Sequence, residues 1–522
     1  MTNNSRRKQV LTGTFVLTAS AFIAKLLSAV YRVPFQNMVG NVGFYVYQQI
    51  YPIYGIGMTF ALNGLPMFIS KLVVDVRDPA DQIALIRRLQ VFLSIISLII
   101  FLGLQFGAQT IALAMTDGHL APVIRAVSWM FLFTPFLATW RGYFQGRLEM
   151  GPTAYSQVIE QVVRVTVILV IAGWAIHAGA DPYMIGELAM FSAPVAGACA
   201  LLVLLFTVRR KQLPRPSKRA NLTPLFRRLI FEGGTLCLVS AVMLLLQLVD
   251  SFSVVAGLRH FGLSFAAAQN LKGIYDRSQT LVQLGMVVTM ASTTAALPSL
   301  SLAHGRGQQT TFDHLAATEM RVNFALALAM SAGLFVLMPQ INTLLFSSAD
   351  LSLTIGVYCV SIVLVTIILT ASTILQAVGR YRATMAAIIS GVIVKILINH
   401  WLVARFSAMG ASAATLIGLL VMMIVLRVLA ARQLAHLFNG LQVLKLLVVL
   451  AAMSVLVKLI TSGIAVGFQI PLTRMSAMIE VVIGIPVGVG IFLLGCRVLN
   501  VFSLREWFAI PMIGRLMRLL KI

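Results

Sequence analysis

Long apolar runs, each broken by charge, glycine or proline, occupy most of the chain. They are about 20 residues long and lack a two-residue alternation, which predicts membrane-crossing α-helices and not the tilted strands of about 10 residues that build a barrel. Bounded at their polar breaks, they place spans near 11–30, 45–70, 91–115, 122–144, 157–178 and 185–208. Six more lie near 229–257, 275–300, 321–346, 352–378, 383–403 and 409–431, with a final pair near 441–467 and 475–499. The expected fold class is therefore an all-α polytopic membrane protein of about fourteen helices.

Between the sixth and seventh spans runs RRKQLPRPSKRANLTPLFRR, residues 209–228, with eight basic residues, three prolines and no acid. This stretch reads as a linker between an N-lobe, 1–208, and a C-lobe, 229–432, with the extra helix pair in 433–500. The last stretch, 501–522, mixes Trp507, Phe508, Ile510 and Leu516 with Arg505, Arg515 and Arg518. It is expected to be a basic amphipathic tail on the cytoplasmic leaflet.

Composition narrows the class. Of 522 residues, 59% are hydrophobic and 11% charged, against roughly 25% charged in a soluble domain, so lipid has to replace the missing polar surface. The net charge of +24 does not point to nucleic acid, because the cations punctuate apolar runs instead of gathering on one polar face. They set orientation instead: with the N-terminus inside, inner segments hold 29 Lys and Arg and outer loops five, which predicts both termini in the cytoplasm. Arg6, Arg7 and Lys8 precede an apolar stretch running to Val30 with no cleavage-site pattern, so it reads as an uncleaved first helix.

Cys199, Cys237, Cys359 and Cys496 lie singly in apolar segments, a pattern of buried thiols and not of a metal or disulfide framework. No catalytic group, metal or cofactor is expected. No phosphate-binding G-x-x-x-x-G-K loop is present, and the outer loop 258–274 has no acid to serve a membrane-bound transferase.

The two halves repeat one another. Gly146-Arg147 followed by Arg164 in the first half is matched by Gly379-Arg380 followed by Lys395 in the second, and spans 2 and 8 each close on Leu-Pro, at Leu65-Pro66 and Leu297-Pro298. A six-plus-six repeat of this kind is a way to build a transport site.

Ionisable groups within spans cost roughly 2.5 to 3.5 kcal/mol each on insertion scales and so mark functional surfaces. The expected interior cations are Lys25, Arg164, Arg277 and Lys395, with Arg32 at the outer mouth, and the acids, as counter-ions or ion-coupling groups, are Glu160, Asp250 and Asp276. Glu160 and Arg164, four residues apart on one helix face, are expected to pair. An excess of cations in a low-dielectric interior suits phosphate or pyrophosphate.

The stretches GFYVYQQIYPIYGIGMTFALNGLPMFISKLV (43–73), WRGYFQGRLEMGPTAYSQVIEQVVRV (140–165) and IYDRSQTLVQLG (274–285) resemble the MurJ and SpoVB-like flippases, Firmicute-type members of the multidrug/oligosaccharidyl-lipid/polysaccharide (MOP) exporter superfamily. The resemblance implies alternating access without an ATPase, a polyprenyl-pyrophosphate-linked oligosaccharide as cargo, and Lys25 and Asp276-Arg277 as headgroup contacts. It further implies a cell-membrane location among lipids, with cell-wall synthesis enzymes as partners. Departures from proteobacterial members, such as Thr280 in place of a Glu after the span 8 Arg, leave the coupling ion open. Export of another lipid-linked polysaccharide unit, or cation-coupled drug efflux through Glu160 and Asp250, are the alternatives.

Overall fold

A computed structural model describes residues 20, 23–24, 26–211, 214, 216, 227–434, 440–467, 472–503 and 506–507. Among them there is no β-strand, and thirteen helical segments are long and apolar enough to cross a membrane. The first, Leu26–Asp75, has 50 residues; at 1.5 Å per residue it would reach about 75 Å, far beyond a hydrocarbon core of about 30 Å. It is broken at Gly40, whose φ of 72° and ψ of −177° are non-helical. It thus joins the end of one helix to a full second crossing, and the span expected at 11–30 lies mostly outside the described residues. This is the fourteen-helix plan of the sequence reading. Most of the amphipathic tail expected at 501–522 and most of the linker at 209–228 also lie outside the described residues.

The chain packs as two units, Met1–Gly273 and Ile274–Ile522. In the first unit the helices are α1 (Arg32–Thr59), α2 (Leu65–Asp75), α3 (Pro79–Ala114), α4 (Ala121–Ser128), α5 (Thr134–Gly146), α6 (Met150–Ala178), α7 (Pro182–Arg210) and α8 (Gly234–His260), with α9 (Phe265–Tyr275) at its end. Asp78-Pro79 and Asp181-Pro182 start α3 and α7 alike: each aspartate accepts from the backbone two residues on, at 3.3 Å from Ala80 N and 2.9 Å from Tyr183 N, and each proline fills a first-turn position that needs no N–H. Helices α6 and α7 pack along much of their length, and α8 packs against α1. Helices α2 and α5 meet through Gly142 and Gly146, four residues apart. A β-carbon on Gly142 would lie 2.6 Å from Ile69 Cβ, and one on Gly146 would lie 2.8 Å from Ser70 O. Such small-residue spacing lets backbones approach where lipid gives no hydrophobic drive to association. Helix α3 turns large apolar side chains outward, Phe106 at 84% exposed among them, as a lipid-facing helix must.

The second unit holds α10 (Arg277–Gly305), α11 (Gln309–Val336), α12 (Met338–Phe346), α13 (Ser352–Cys359), α14 (Ser361–Ala377), α15 (Tyr381–Phe406), α16 (Ala408–Leu429), α17 (Gly440–Gly467) and α18 (Arg474–Val498). Helices α10, α11 and α14 pack on one another as a triangle, α15 pairs with α16, and α17 pairs with α18. The close pairs α6–α7 and α15–α16 occupy corresponding places in the sequence repeat. The ninth span differs at both ends from expectation, running over Gln309–Val336 and not 321–346, and the third and eighth begin earlier than expected, at Pro79 and Phe265. The first four turns of the ninth carry Asp313, His314, Glu319 and Arg321, so hydropathy alone starts it late, and the segment after Val336 forms a separate helix with Pro339 in its first turn.

Gly40 occupies a backbone region that only glycine enters without strain, and a β-carbon there would meet nothing within 4 Å. Gly40→Val should therefore lower stability by about 1–3 kcal/mol through the backbone alone, read as a fall in thermal midpoint of the detergent-purified protein.

Candidate functional site

In the first unit a run of tyrosines organises the buried charge. Tyr47, Tyr51 and Tyr54 recur at helical spacing on α1, with ring centroids 6.1 Å apart for the first pair and 5.5 Å for the second. Two guanidiniums lie against them. Arg32, fully buried, sits 4.1 Å over the Tyr51 ring, and Arg164 sits 4.7 Å over Tyr54 and 5.0 Å over Tyr31. The Tyr31 and Tyr47 hydroxyls share a 2.8 Å hydrogen bond. Aromatic faces stabilise a desolvated guanidinium through their quadrupoles.

Arg164 is 1% exposed. Its Nη2 donates to Gln161 Oε1 at 2.9 Å and Ser28 Oγ at 3.2 Å, and Nη1 reaches Tyr31 OH at 3.5 Å. All three partners are neutral, and its Nε has no hydrogen-bond partner among the described residues. The pairing expected between Glu160 and Arg164 does not form. Glu160 Oε2 instead accepts from Arg141 Nη2 at 2.7 Å, in a pair almost wholly buried. Arg141 also donates from Nε to Ser156 Oγ at 3.0 Å and from Nη1 to Ala61 O at 3.2 Å. A guanidinium on a neighbouring helix supplies a better-satisfied partner than one a turn away, and it leaves Arg164 without a carboxylate among the described residues.

The positions of the other expected residues vary. Arg32, expected at the outer mouth, is buried at the start of α1. Asp250 is fully buried on α8, and Gln49 Nε2 donates to the carbonyl of the adjacent Ser251 at 2.7 Å. Lys25 lies outside the described residues. In the second unit, Asp276 is buried at the N-terminus of α10 and accepts from Gln279 Nε2 at 3.1 Å. Arg277 Nη1 donates to Asn342 Oδ1 at 3.1 Å and Ser348 Oγ at 3.4 Å, and its guanidinium lies 5.0 Å over Phe346. Lys395, fully buried on α15, donates to Thr415 Oγ1 at 2.8 Å on α16. Arg32 and Arg164 thus share one aromatic cluster, whereas Arg277 and Lys395 have different partners.

Several groups escaped the sequence reading. Arg141 and Lys272, which no sequence pattern singles out, are buried. Asp117 is a buried acceptor for Tyr45 OH at 3.0 Å, Tyr183 OH at 2.9 Å and Gln269 Nε2 at 3.1 Å. Tyr47, Tyr51 and Tyr54 stand at i, i+4 and i+7, a periodicity legible in YVYQQIYPIYG. Nothing local marks Arg141 as the partner of a glutamate 19 residues on.

Comparisons with known proteins bear on this arrangement. Residues 10–304 match the family model described as polysaccharide biosynthesis protein. An uncharacterised membrane protein of Bacillus subtilis (strain 168), YabM, is 37% identical over 415 residues, 78% of each chain. The lipid II flippase MurJ of the same organism is 25% identical over 438 residues, 78% of this chain and 80% of that one. A solved structure of lipid II flippase MurJ in an inward closed conformation covers 93% of this chain with a TM-score of 0.70 at 12% identity, a likeness of fold.

Removing one partner of a buried ion pair costs about 3–5 kcal/mol, whereas replacing both with apolar groups is often nearly neutral. Arg141→Ala should therefore reduce the yield and thermal stability of purified protein severely, and Arg141→Met with Glu160→Met should recover most of the loss. A single variant as stable as the parent would show that the pair contributes nothing.

Proposed function

The chain belongs to the polysaccharide biosynthesis protein family, and from that premise we propose that it is a flippase for lipid-linked precursors of the cell envelope. Its cargo in this reading is an undecaprenyl-pyrophosphate oligosaccharide of the lipid II type, moved across the cytoplasmic membrane by alternating access. The observation that carries it is Arg164, a buried guanidinium held by neutral oxygens beside Arg32 on one tyrosine cluster. A desolvated cation without its own carboxylate is an incomplete site. A pyrophosphate would complete it, because its oxygens match the forked N–H donors of arginine and its charge offsets the desolvation. Tyrosine hydroxyls add neutral donors at the same place.

Arg277, Lys395 and Lys25 are the further headgroup contacts in this reading, and Glu160, Asp250 and Asp276 are counter-ions. Glu160 is engaged by Arg141, which makes it a poor ion-binding acid for drug efflux. The domain plan of two six-helix lobes, a cytoplasmic linker, an extra helix pair and a cytoplasmic tail belongs to the same proposal, as do inward-facing termini and association with cell-wall synthesis enzymes. The name of the matched family favours a second cargo, another lipid-linked polysaccharide repeat unit recognised through the same pyrophosphate.

Native mass spectrometry of the purified protein should retain a polyprenyl-pyrophosphate lipid whose glycan mass separates the two cargoes. In proteoliposomes, Arg277→Ala and Lys25→Ala should each abolish translocation of that lipid with expression intact. Arg164→Lys keeps the charge but loses the fork, and should slow translocation about tenfold, the equivalent of roughly 1.4 kcal/mol. Normal translocation by all three variants would refute the basic site.

A further inference from the structure

Within the second unit, α10, α11 and α14 enclose a polar seam that the reading above does not use. At one end is Glu319 on α11, half-buried, which accepts from Ser292 Oγ at 2.9 Å and Asn323 Nδ2 at 2.7 Å. Asn323, fully buried one turn on, also donates to Thr293 Oγ1 at 3.1 Å and Thr370 Oγ1 at 3.4 Å. The seam continues with Thr293 and Thr370, 3.5 Å apart, and ends where Thr366 Oγ1 donates to Thr289 Oγ1 at 3.3 Å. The next turn is closed by apolar packing, since a β-carbon on Gly285 would lie 2.6 Å from Ile362 Cδ1.

No cation offsets Glu319 among the described residues. Among the described residues its partners are neutral, and the ionisable groups on the helices packed around it are engaged or placed elsewhere. On α11 itself, Asp313 accepts from Gln309 and Arg321 pairs with Glu506 at 3.4 Å, while His314 is exposed. On α10, His304 stacks near Phe312 at 5.7 Å and Arg306 follows the helix end. Helix α14 carries no charge, and α13 offers Tyr358 and Cys359. On the C-terminal pair, Lys445, Lys458, Arg474 and Arg497 make no ion pair with Glu319, and Glu480 accepts from Gln340 at 2.9 Å.

We propose that Glu319 is a proton-exchanging carboxylate, with Asn323 and the threonine seam built to accommodate it both charged and neutral. The donors and acceptors carry this. Ser292 Oγ and Asn323 Nδ2 both donate to Oε1, an acceptor in the carboxylate and in the acid alike, so a proton taken from water onto Oε2 costs neither hydrogen bond. Thr293 and Thr370 accept from the same amide in both states and hold it in place. The apolar closure beyond Thr289 and Thr366 makes the seam a dead end, reached by protons from the Gly305–Gln309 end of the unit and not a channel through it. A charge that hydrocarbon penalises is thereby present or absent among three packed helices, which makes their packing sensitive to proton binding. The link from proton binding to cargo movement rests on the transport reading; proton binding itself does not.

The test uses the full chain in lipid nanodiscs and in proteoliposomes. Acid-minus-base infrared difference spectra of the parent should show a carboxylic C=O band that is lost in Glu319→Gln. A parent without such a band, or a band kept in Glu319→Gln, overturns the site. A band removed by sodium at constant pH overturns the proton in favour of a metal cation. If Glu319→Gln does not fold, Asn323→Leu, which removes the donating amide and keeps the carboxyl, should shift the pH at which the band appears; an unshifted band overturns the role of Asn323. In proteoliposomes a pH gradient should stimulate translocation by the parent and not by Glu319→Gln, and stimulation retained in the variant overturns the coupling. A parent that shows the band but moves no lipid-linked cargo refutes the transport reading while supporting the proton site.

Discussion

A guanidinium inside hydrocarbon must be given oxygen atoms by the protein around it, because the Born cost of removing its water far exceeds what dispersion contacts return. The first unit answers this demand in two ways. Arg141 receives a carboxylate, a hydroxyl and a main-chain carbonyl, from Glu160, Ser156 and Ala61, and is complete. Arg164 receives an amide, a hydroxyl and aromatic faces, which hold it in place without cancelling its charge. The difference separates a structural ion pair, which ties α5 to α6, from a guanidinium held by neutral partners, on which the proposed function rests.

The second unit follows the same rule with weaker acceptors. Arg277 and Lys395 are held by Asn342, Ser348 and Thr415, and the acid Glu319 by Ser292 and Asn323. Neutral partners of this kind cost little to rearrange, since a hydroxyl or amide can turn over where a carboxylate would have to be pulled from its counter-charge. A carrier has to change shape without exposing unpaired charge to lipid, and amide and hydroxyl partners make that change less costly than salt bridges would.

Packing among the helices relies on close approach. Gly142 and Gly146 bring α5 onto α2, and Gly391 accepts Met422 and the Gly418 carbonyl at distances no β-carbon would allow. These contacts set which faces turn inward, and therefore which ionisable groups are buried. The tyrosine spacing on α1 is useful only because α6 delivers Arg164 to it.

Hydropathy and the spacing of apolar runs determined the helical class, the positions of nearly all spans and the presence of ionisable groups within them, because insertion energies add along the chain and need no knowledge of neighbours. The same locality misplaced the start of α11, whose first turns carry exposed polar side chains. Locality also suggested that Glu160 would take Arg164, the nearest cation on its own helix, and did not single out Arg141 or Lys272. Only the tertiary structure decided that Glu160 belongs to Arg141, that Arg164 is held by Gln161, Ser28 and Tyr31, and that Glu319 meets Asn323 at the end of a threonine seam. Charge partnership in a low-dielectric interior depends on the distance between helices, and that distance is a property of their packing and not of any one segment.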